Sequence, residues 1–368
     1  MVRTIVVSAV NIRKGGTLTI LRNCLKYLSD LTKEGDFRIV ALVHRKDLAE
    51  YPGIEYIEMP DIMRNWGKRL WCEYITMYRI SQSLSPVDLW LSLHDTTPRV
   101  MAERQAVYCQ TSFPFLRWQT KDLLFDYKIV LFALFTRFVY RLNIRKNNYL
   151  IVQAEWLRKG FSQMFRLPEN KFIVAPPEPA TNISVPSVCH KNKVYTFLFA
   201  ATPDCHKNFD LICRAAQRLE KELGENRFEV IFTIDGTENR YARWLYKKWG
   251  SLASLKFAGF MSKNDLFATY EKADCLVFPS RIETWGLPIS EFAQFGKPML
   301  LADLPYAHET ARGSKKVAFF NVREAGELKE QMKHLLLNDR TFLLKMPERK
   351  IVEPVARTWK GLFDELLR

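Results

Sequence analysis

Two acids, Glu283 and Glu291, flank a Trp-Gly-Leu-Pro turn in the stretch DCLVFPSRIETWGLPISEFAQFGKPMLLADLPYAHE (274–309). The stretch reads as a strand over Cys275–Phe278, a loop with Glu283, a helix from about Pro288 with Glu291 in its first turn, and a strand over Met299–Leu301. Proline at a helix start costs nothing, because that N–H would be unpaired anyway, and Gly286 lets a ligand approach the backbone. Unpaired N–H groups there favour phosphate, and carboxylates accept hydrogen bonds from sugar hydroxyls. Such a site grips both ends of a phosphorylated sugar. The plainer reading of the same residues is a dipole-complementing Glu291 and a solvated Glu283.

Other residues strengthen the first reading by position. Lys207 follows a strand over Tyr195–Ala201 and precedes a helix, where a cation can neutralise phosphate. Asp235-Gly236 ends a strand over Phe228–Ile234, and Gly259 follows one over Leu255–Phe257. In a parallel sheet these strand ends share one edge, where ligands bind. Near the N-terminus, an apolar run over Thr4–Ala9 leads through Asn11–Gly16 to a helix with Leu18, Leu21, Leu25 and Leu28 on one face and Thr17 as its expected cap. Gly15 and Gly16 place a glycine loop at that strand end, which is weak evidence for anion binding when taken alone.

The elements that must position these residues alternate as strand and helix throughout: strands at Phe37–Val43, Ile54–Ile57, Val87–Leu93, Ala106–Gln110, Tyr149–Gln153, Phe172–Ala175 and Val317–Phe320, and helices near 68–84, from Glu155, and over 238–249, 263–272, 325–337 and 352–367. That rhythm predicts doubly wound α/β domains. A chain of 368 residues exceeds one ordinary core. The proline-rich run after Ala175 is the best linker, giving domains over 1–175 and 189–351 joined by 176–188, with the C-terminal helix 352–368 expected to pack back on the first.

Hydrophobic content of 48% and charged content of 26% are those of a globular protein. Seven cysteines without a C-x-x-C pair suggest reduced thiols in the core and exclude a recognisable zinc ribbon. No signal-peptide pattern and no membrane-spanning run is visible, so a cytoplasmic location is expected. The net charge of +15 calls for an anionic partner. Much of it lies in the aromatic segment 117–146, where Arg137, Arg141 and Arg145 would share a helical face. That pattern suits either a helix docked on an anionic membrane surface or an ordinary helix with a solvated basic face.

His206-Lys207-Asn208 after a strand, Asp235-Gly236 at a strand end, Gly259 before a helix, and FPSRIETWGLPISEFAQFGKPMLLADLPYAHE together resemble glycosyltransferase family 4, of the GT-B fold: two Rossmann-like domains facing a central cleft. Glu283 and Glu291 match the E-x7-E motif of its retaining members, and the details resemble enzymes of bacterial surface-polysaccharide synthesis (O-antigen or capsule). The likeness is specific over the second domain and general over the first, the expected acceptor side.

The resemblance implies a retaining, metal-independent hexosyl-, mannosyl- or rhamnosyltransferase. It would move sugar from a nucleotide-diphosphate donor to a growing, lipid-linked glycan on the inner face of the cytoplasmic membrane. It implies that Glu291 binds ribose, Glu283 the donor sugar, Lys207 the diphosphate, and the Gly286, Leu287 and Pro288 backbone the sugar and distal phosphate. Asp235, Gly236 and Gly259 complete the donor wall, with Gly15, Gly16 and Gln110 on the acceptor and phosphate side. No cofactor is expected, and the absence of a D-x-D triplet fits a metal-free mechanism.

Two departures stand out. Thr202 replaces an arginine usual five residues before the lysine, so Arg281, Arg240 or His206 would have to supply the second cation. Tyr108-Cys109-Gln110 stands where a histidine is common, and His94, after the preceding strand, reads as a loop or buried residue. These departures motivate the alternative of a catalytically silent nucleotide- or glycan-binding scaffold. A nucleic-acid binder is disfavoured, because no recognition module is present.

Overall fold

The computed structural model describes residues 2–64, 66–177 and 194–368, which form two compact units. The expected linker 176–188 falls almost wholly outside the described residues, as does Cys189. The first unit comprises the described parts of Met1–Pro114, Phe135–Glu178 and Ile351–Arg368; the second those of Phe115–Leu134 and Pro179–Lys350.

The first unit carries strands β1 (Arg3–Ala9), β2 (Phe37–Val43), β3 (Ile54–Glu58), β4 (Leu89–Ser92), β5 (Arg104–Cys109), β6 (Tyr149–Val152) and β7 (Phe172–Val174), all parallel in the order β3-β2-β1-β4-β5-β6-β7. The period-two geometry of β1 explains why its sequence is continuously apolar. Ile5, Val7 and Ala9 face one layer, with Leu21, Leu25 and Leu28 of α1 (Gly15–Thr32). Val6 and Val10 face the other, with Cys72 and Met77. Those two residues belong to a helical run in which α2 (Trp66–Trp71) and α3 (Met77–Ser83) are joined by a π turn over Cys72–Thr76. Each fully buried aliphatic side chain contributes about 1.5–3 kcal/mol.

Between β5 and β6 the chain forms α4 (Thr120–Phe125) and α5 (Tyr127–Arg141), followed after β6 by α6 (Glu155–Phe165). A boundary at 175 places residues 115–134 in the first domain, yet they group with the second unit. The physical reason lies in the contacts of α4. Phe125 packs on Tyr241 and Trp244 with ring centroids 5.3 and 5.1 Å apart, and Lys121 pairs with Asp210.

The second unit contains β8 (Tyr195–Phe199), α7 (Phe209–Leu223), β9 (Phe228–Phe232), α8 (Arg240–Trp249), β10 (Leu255–Phe257), α9 (Lys263–Lys272), β11 (Cys275–Phe278), α10 (Leu287–Ala293), β12 (Met299–Ala302), α11 (Pro305–Thr310), β13 (Val317–Phe320) and α12 (Ala325–Leu336). Its strands are parallel in the order β10-β9-β8-β11-β12-β13. Chain direction across the sheet reverses between β8 and β11, the switch point where strand-end loops part and leave a crevice.

The last helix, α13 (Trp359–Leu366), is shorter than the expected 352–367. Pro354 has no N–H to give a helix, and the segment around it pairs with β7 instead: Val174 N donates to Pro354 O at 3.0 Å and Ala356 N to Val174 O at 2.9 Å. The Thr358 hydroxyl then caps α13, whose Phe363 stacks on Tyr27 of α1 at 5.4 Å.

Candidate active site

The loops after β8 and β11 meet at the switch point of the second unit. After β8 a single 3-10 turn, Cys205–Lys207, ends at Asn208, which adopts a left-handed φ of 65° that asparagine tolerates. Its amide donates to Pro279 O at 3.4 Å and Val322 O at 3.0 Å, tying the Lys207 turn to the ends of β11 and β13. From the other side, Arg281 N donates to His206 O at 2.8 Å. Tyr306 donates its hydroxyl to Ser280 O at 2.7 Å, and Thr310 donates to Trp285 O. The loop that carries Glu283 is therefore fixed at several points.

Within this frame Lys207 Nζ donates to Glu283 Oε1 at 2.6 Å. The pair is largely withdrawn from solvent, with side chains 16% and 14% exposed. A cation and a carboxylate in one crevice suit a ligand having both phosphate and hydroxyl groups.

Glu291 stands further along the same chain. Gly286, at φ 95°, caps α10, so the helix starts at Leu287 and Glu291 falls in its second turn rather than its first. Tyr270 donates its hydroxyl to Glu291 Oε2 at 3.0 Å. Burial raises the Glu291 pKa, and the Tyr270 bond partly opposes the rise. Pro288 occupies the second helical position, and Leu287 is exposed.

The β9 and β10 ends also come together. A Cβ at Gly259 would lie 3.7 Å from Asp235 Cβ. Asp235 Oδ1 accepts from the backbone N and hydroxyl of Thr237, at 2.7 and 2.6 Å, which lowers its pKa. Gly236 has φ 96°, and a Cβ there would lie 2.5 Å from Tyr246 Cβ, so the sharp turn admits no side chain without displacement.

Arg281 does not present the cation expected of it. Its guanidinium is buried and gripped by Asp122, with Nη1 2.9 Å from Oδ2 and Nη2 on Oδ1, and Nη2 also reaches Cys205 O at 3.4 Å. Its charge is already neutralised. His206 is no substitute either: burial, aided by Lys207 and Arg281, drives its pKa well below the usual histidine range and keeps it neutral. Thr202 spends its hydroxyl on Asp204 at 2.6 Å. Arg240 is the exposed member of the three substitutes, at the start of α8 beside Asn239, whose amide donates to Pro203 O at 2.8 Å in the loop after β8.

In the first unit, α1 begins at Gly15 with φ 72°, and no side chain caps it. Thr17 is not its cap, since its hydroxyl donates back to Lys14 O at 3.0 Å. Open space surrounds both Gly15 and Gly16. Gln110 is largely committed to the fold: its amide donates to Leu93 O at 2.7 Å and its backbone N to Asp95 Oδ1 at 2.5 Å. His94 is buried between Ser8 Oγ and Thr96 Oγ1, at 3.0 and 2.9 Å, and desolvation pushes its pKa down to about 4, so it stays neutral at pH 7.

Sequence reasoning missed Asp122 and Tyr270, which hold Arg281 and Glu291. Asp122 had a local signal, the reciprocal cap it forms with Gln119 at the start of α4. Its tie to Arg281 spans 159 positions and left no signal in the sequence. Among the described residues no group of three or more His, Cys, Asp or Glu could hold a metal ion, and no helix is long and apolar enough to cross a membrane.

Residues 185–352, which include the strand-end loops described in the second unit, match the family Glycosyl transferases group 1. The chain is 24% identical over 318 residues to the O-antigen chain mannosyltransferase RfbU of Salmonella typhimurium, covering 83% of each. Similar solved structures include the lipopolysaccharide outer core galactosyltransferase WaaB (TM-score 0.62, 10% identity, 92% of this chain and 91% of that one). WaaG, a glycosyltransferase involved in lipopolysaccharide biosynthesis, aligns with TM-score 0.61 at 14% identity over 91% and 90%. Anabaena HepE in complex with UDP and glucose gives 0.60 at 13% over 92% and 91%. Residues 185–352 are thus similar to the glycosyltransferase group 1 domain, and the two parallel sheets have the GT-B fold.

Proposed function

We propose that the protein is a retaining glycosyltransferase of family 4 that moves a sugar from a nucleotide-diphosphate donor to a growing, lipid-linked glycan of a bacterial surface polysaccharide. The observation that carries this reading is the Lys207–Glu283 pair at the switch point, inside the residues that match the group 1 family. The similarity to RfbU favours O-antigen over capsule as the product and a mannosyl donor among the hexoses.

In this reading Glu291 accepts from the ribose hydroxyls and Glu283 from the donor sugar. The N–H groups of Gly286 and Leu287, together with Lys207, face the diphosphate. As the bond from sugar to nucleotide diphosphate breaks, Lys207 stabilises the charge on the leaving oxygen, and the acceptor hydroxyl attacks from the same face and passes its proton to that oxygen. Arg240 is the cation available to take the place of the one missing at Thr202. The charge stabilisation comes from fixed protein groups, so transfer proceeds without a metal.

The enzyme would work as a peripheral protein on the inner face of the cytoplasmic membrane. The support is α5, whose apolar stripe faces solvent: Tyr127, Leu131, Leu134, Phe135 and Phe138 are exposed, beside exposed Lys128, Arg137 and Arg141. That is the layout of a helix lying in a bilayer interface. Arg145 does not extend this face, because α5 ends at Arg141 and Asn143 turns the chain with φ 57°.

A thermal-shift comparison of UDP, GDP and dTDP tests the assignment. One nucleoside diphosphate should stabilise the protein, and Glu291→Ala should abolish the effect; equal stabilisation of wild type and variant counts against the ribose role.

A further inference from the structure

We infer that Asp122 is a positioning residue for the donor site, acting from the helix α4 through Arg281 on the loop that carries Glu283. The inference rests on the reading of that loop as part of the sugar-transfer site.

Asp122 is 1% exposed, and the Arg281 side chain is 5% exposed. The carboxylate takes the guanidinium two-pronged, the geometry that fixes orientation as well as charge. Its own position is set by the cap of α4, where Gln119 N donates to Asp122 Oδ2 at 2.7 Å. Arg281 stands two residues before Glu283. Through its side chain it reaches Cys205 O, and through its backbone N it reaches His206 O, so it also touches the turn that presents Lys207. One buried ion pair therefore touches both the loop of Glu283 and the turn of Lys207, beside the other ties that hold this loop.

The same short helix is anchored by two further side chains on the same unit. Lys121 pairs with Asp210, which also accepts from Trp249 Nε1 at 3.0 Å, and Phe125 packs on Tyr241 and Trp244. Its remaining residues, Thr120, Leu123 and Leu124, are exposed. All three inward residues of α4 thus hold it to the donor domain, although the chain supplies this helix from between two strands of the other unit. Exchanging a buried ion pair for apolar residues often leaves stability unchanged, and a misplaced reacting group costs about 100-fold in rate. Stability and positioning can therefore be separated experimentally.

The test is the double variant Asp122→Leu/Arg281→Met, with Asp122→Asn alone as its comparison. Hydrogen exchange of amides 281–286 should accelerate about tenfold or more in the double variant, while β11 and the global unfolding midpoint stay as in the wild type. With a nucleotide sugar that the wild type uses, turnover should fall about 100-fold. If the double variant fails to fold, Asp122→Asn carries the same exchange and turnover readouts.

Unaltered exchange in 281–286 overturns the inference whatever the activity, and so does altered exchange with wild-type turnover. Lost affinity for the free nucleoside diphosphate with unaltered exchange in 281–286 would instead make Arg281 a direct phosphate ligand. A wild type that uses no nucleotide sugar defeats the functional reading, and loop exchange then still decides whether Asp122 fixes the Glu283 loop.

Discussion

Replacing Lys207 with Met removes the ammonium while keeping most of the side-chain length, and it isolates the charge that the site is built around. Lys207 Nζ and Glu283 Oε1 are 2.6 Å apart. At an effective dielectric near 20, unit charges at that separation attract by about 6 kcal/mol. Desolvation and the entropy of holding the lysine offset most of this, leaving about 1–3 kcal/mol net for a mostly buried, hydrogen-bonded pair. Without ligand, a double-mutant cycle of Lys207→Met and Glu283→Gln in denaturant should return a coupling of that size. In the proposed function the same ammonium faces the diphosphate of the bound donor, and losing one such group at a developing charge costs about 100- to 1,000-fold in turnover. Calorimetry of K207M should show lost affinity for the nucleoside diphosphate and unchanged affinity for the plain nucleoside. The reasoning is refuted if K207M binds the diphosphate as the wild type does, or loses nucleoside and diphosphate affinity in equal measure.

Glu291 gives a prediction with a sign in pH. Burial raises its pKa in the folded state, so its contribution to stability is fully present below the unfolded carboxyl pKa and is lost as pH rises through the raised value. Glu291→Gln should therefore stabilise the unliganded protein at neutral pH while weakening nucleotide binding about tenfold or more; denaturant melts at several pH values and calorimetry check both halves. Gly236→Ala should lose about 1–3 kcal/mol in denaturant unfolding, because its φ of 96° and the 2.5 Å approach to Tyr246 Cβ strain any side chain. Neutralising Arg137 and Arg141 should weaken binding to phosphatidylglycerol vesicles by about 2 kcal/mol, roughly 30-fold, in a sedimentation assay; full retention there would count against membrane docking.

The parts of this architecture legible in the sequence were those written in local period and strand order. The apolar run of β1 reads as a strand buried on both faces because Ile5 and Val7 and, on the other side, Val6 each need a layer to cover them. Placing Lys207 near Glu283 required only that β8 and β11 be parallel and neighbouring, since their following loops then share an edge. The direction of Arg281 was not legible, because it depends on which carboxylate arrives from a distant segment, and Asp122 comes from a helix donated by the other half of the chain. The stripe on α5 carried the same ambiguity. Its spacing tells which residues share a face, and only the folded chain tells that this face is left in solvent. The last helix was overextended because leucine and valine spacing continues past Pro354, whereas the backbone there pairs with β7.

The most direct test of the account is nucleotide release by the purified protein from a panel of GDP-mannose, UDP-glucose, UDP-galactose, UDP-N-acetylglucosamine and dTDP-rhamnose, with and without EDTA, beside Glu283→Gln. The account predicts release from one donor that persists in EDTA and falls about 100-fold or more in the variant. Release that is lost in EDTA and restored by metal, or that is unchanged in Glu283→Gln, would contradict it.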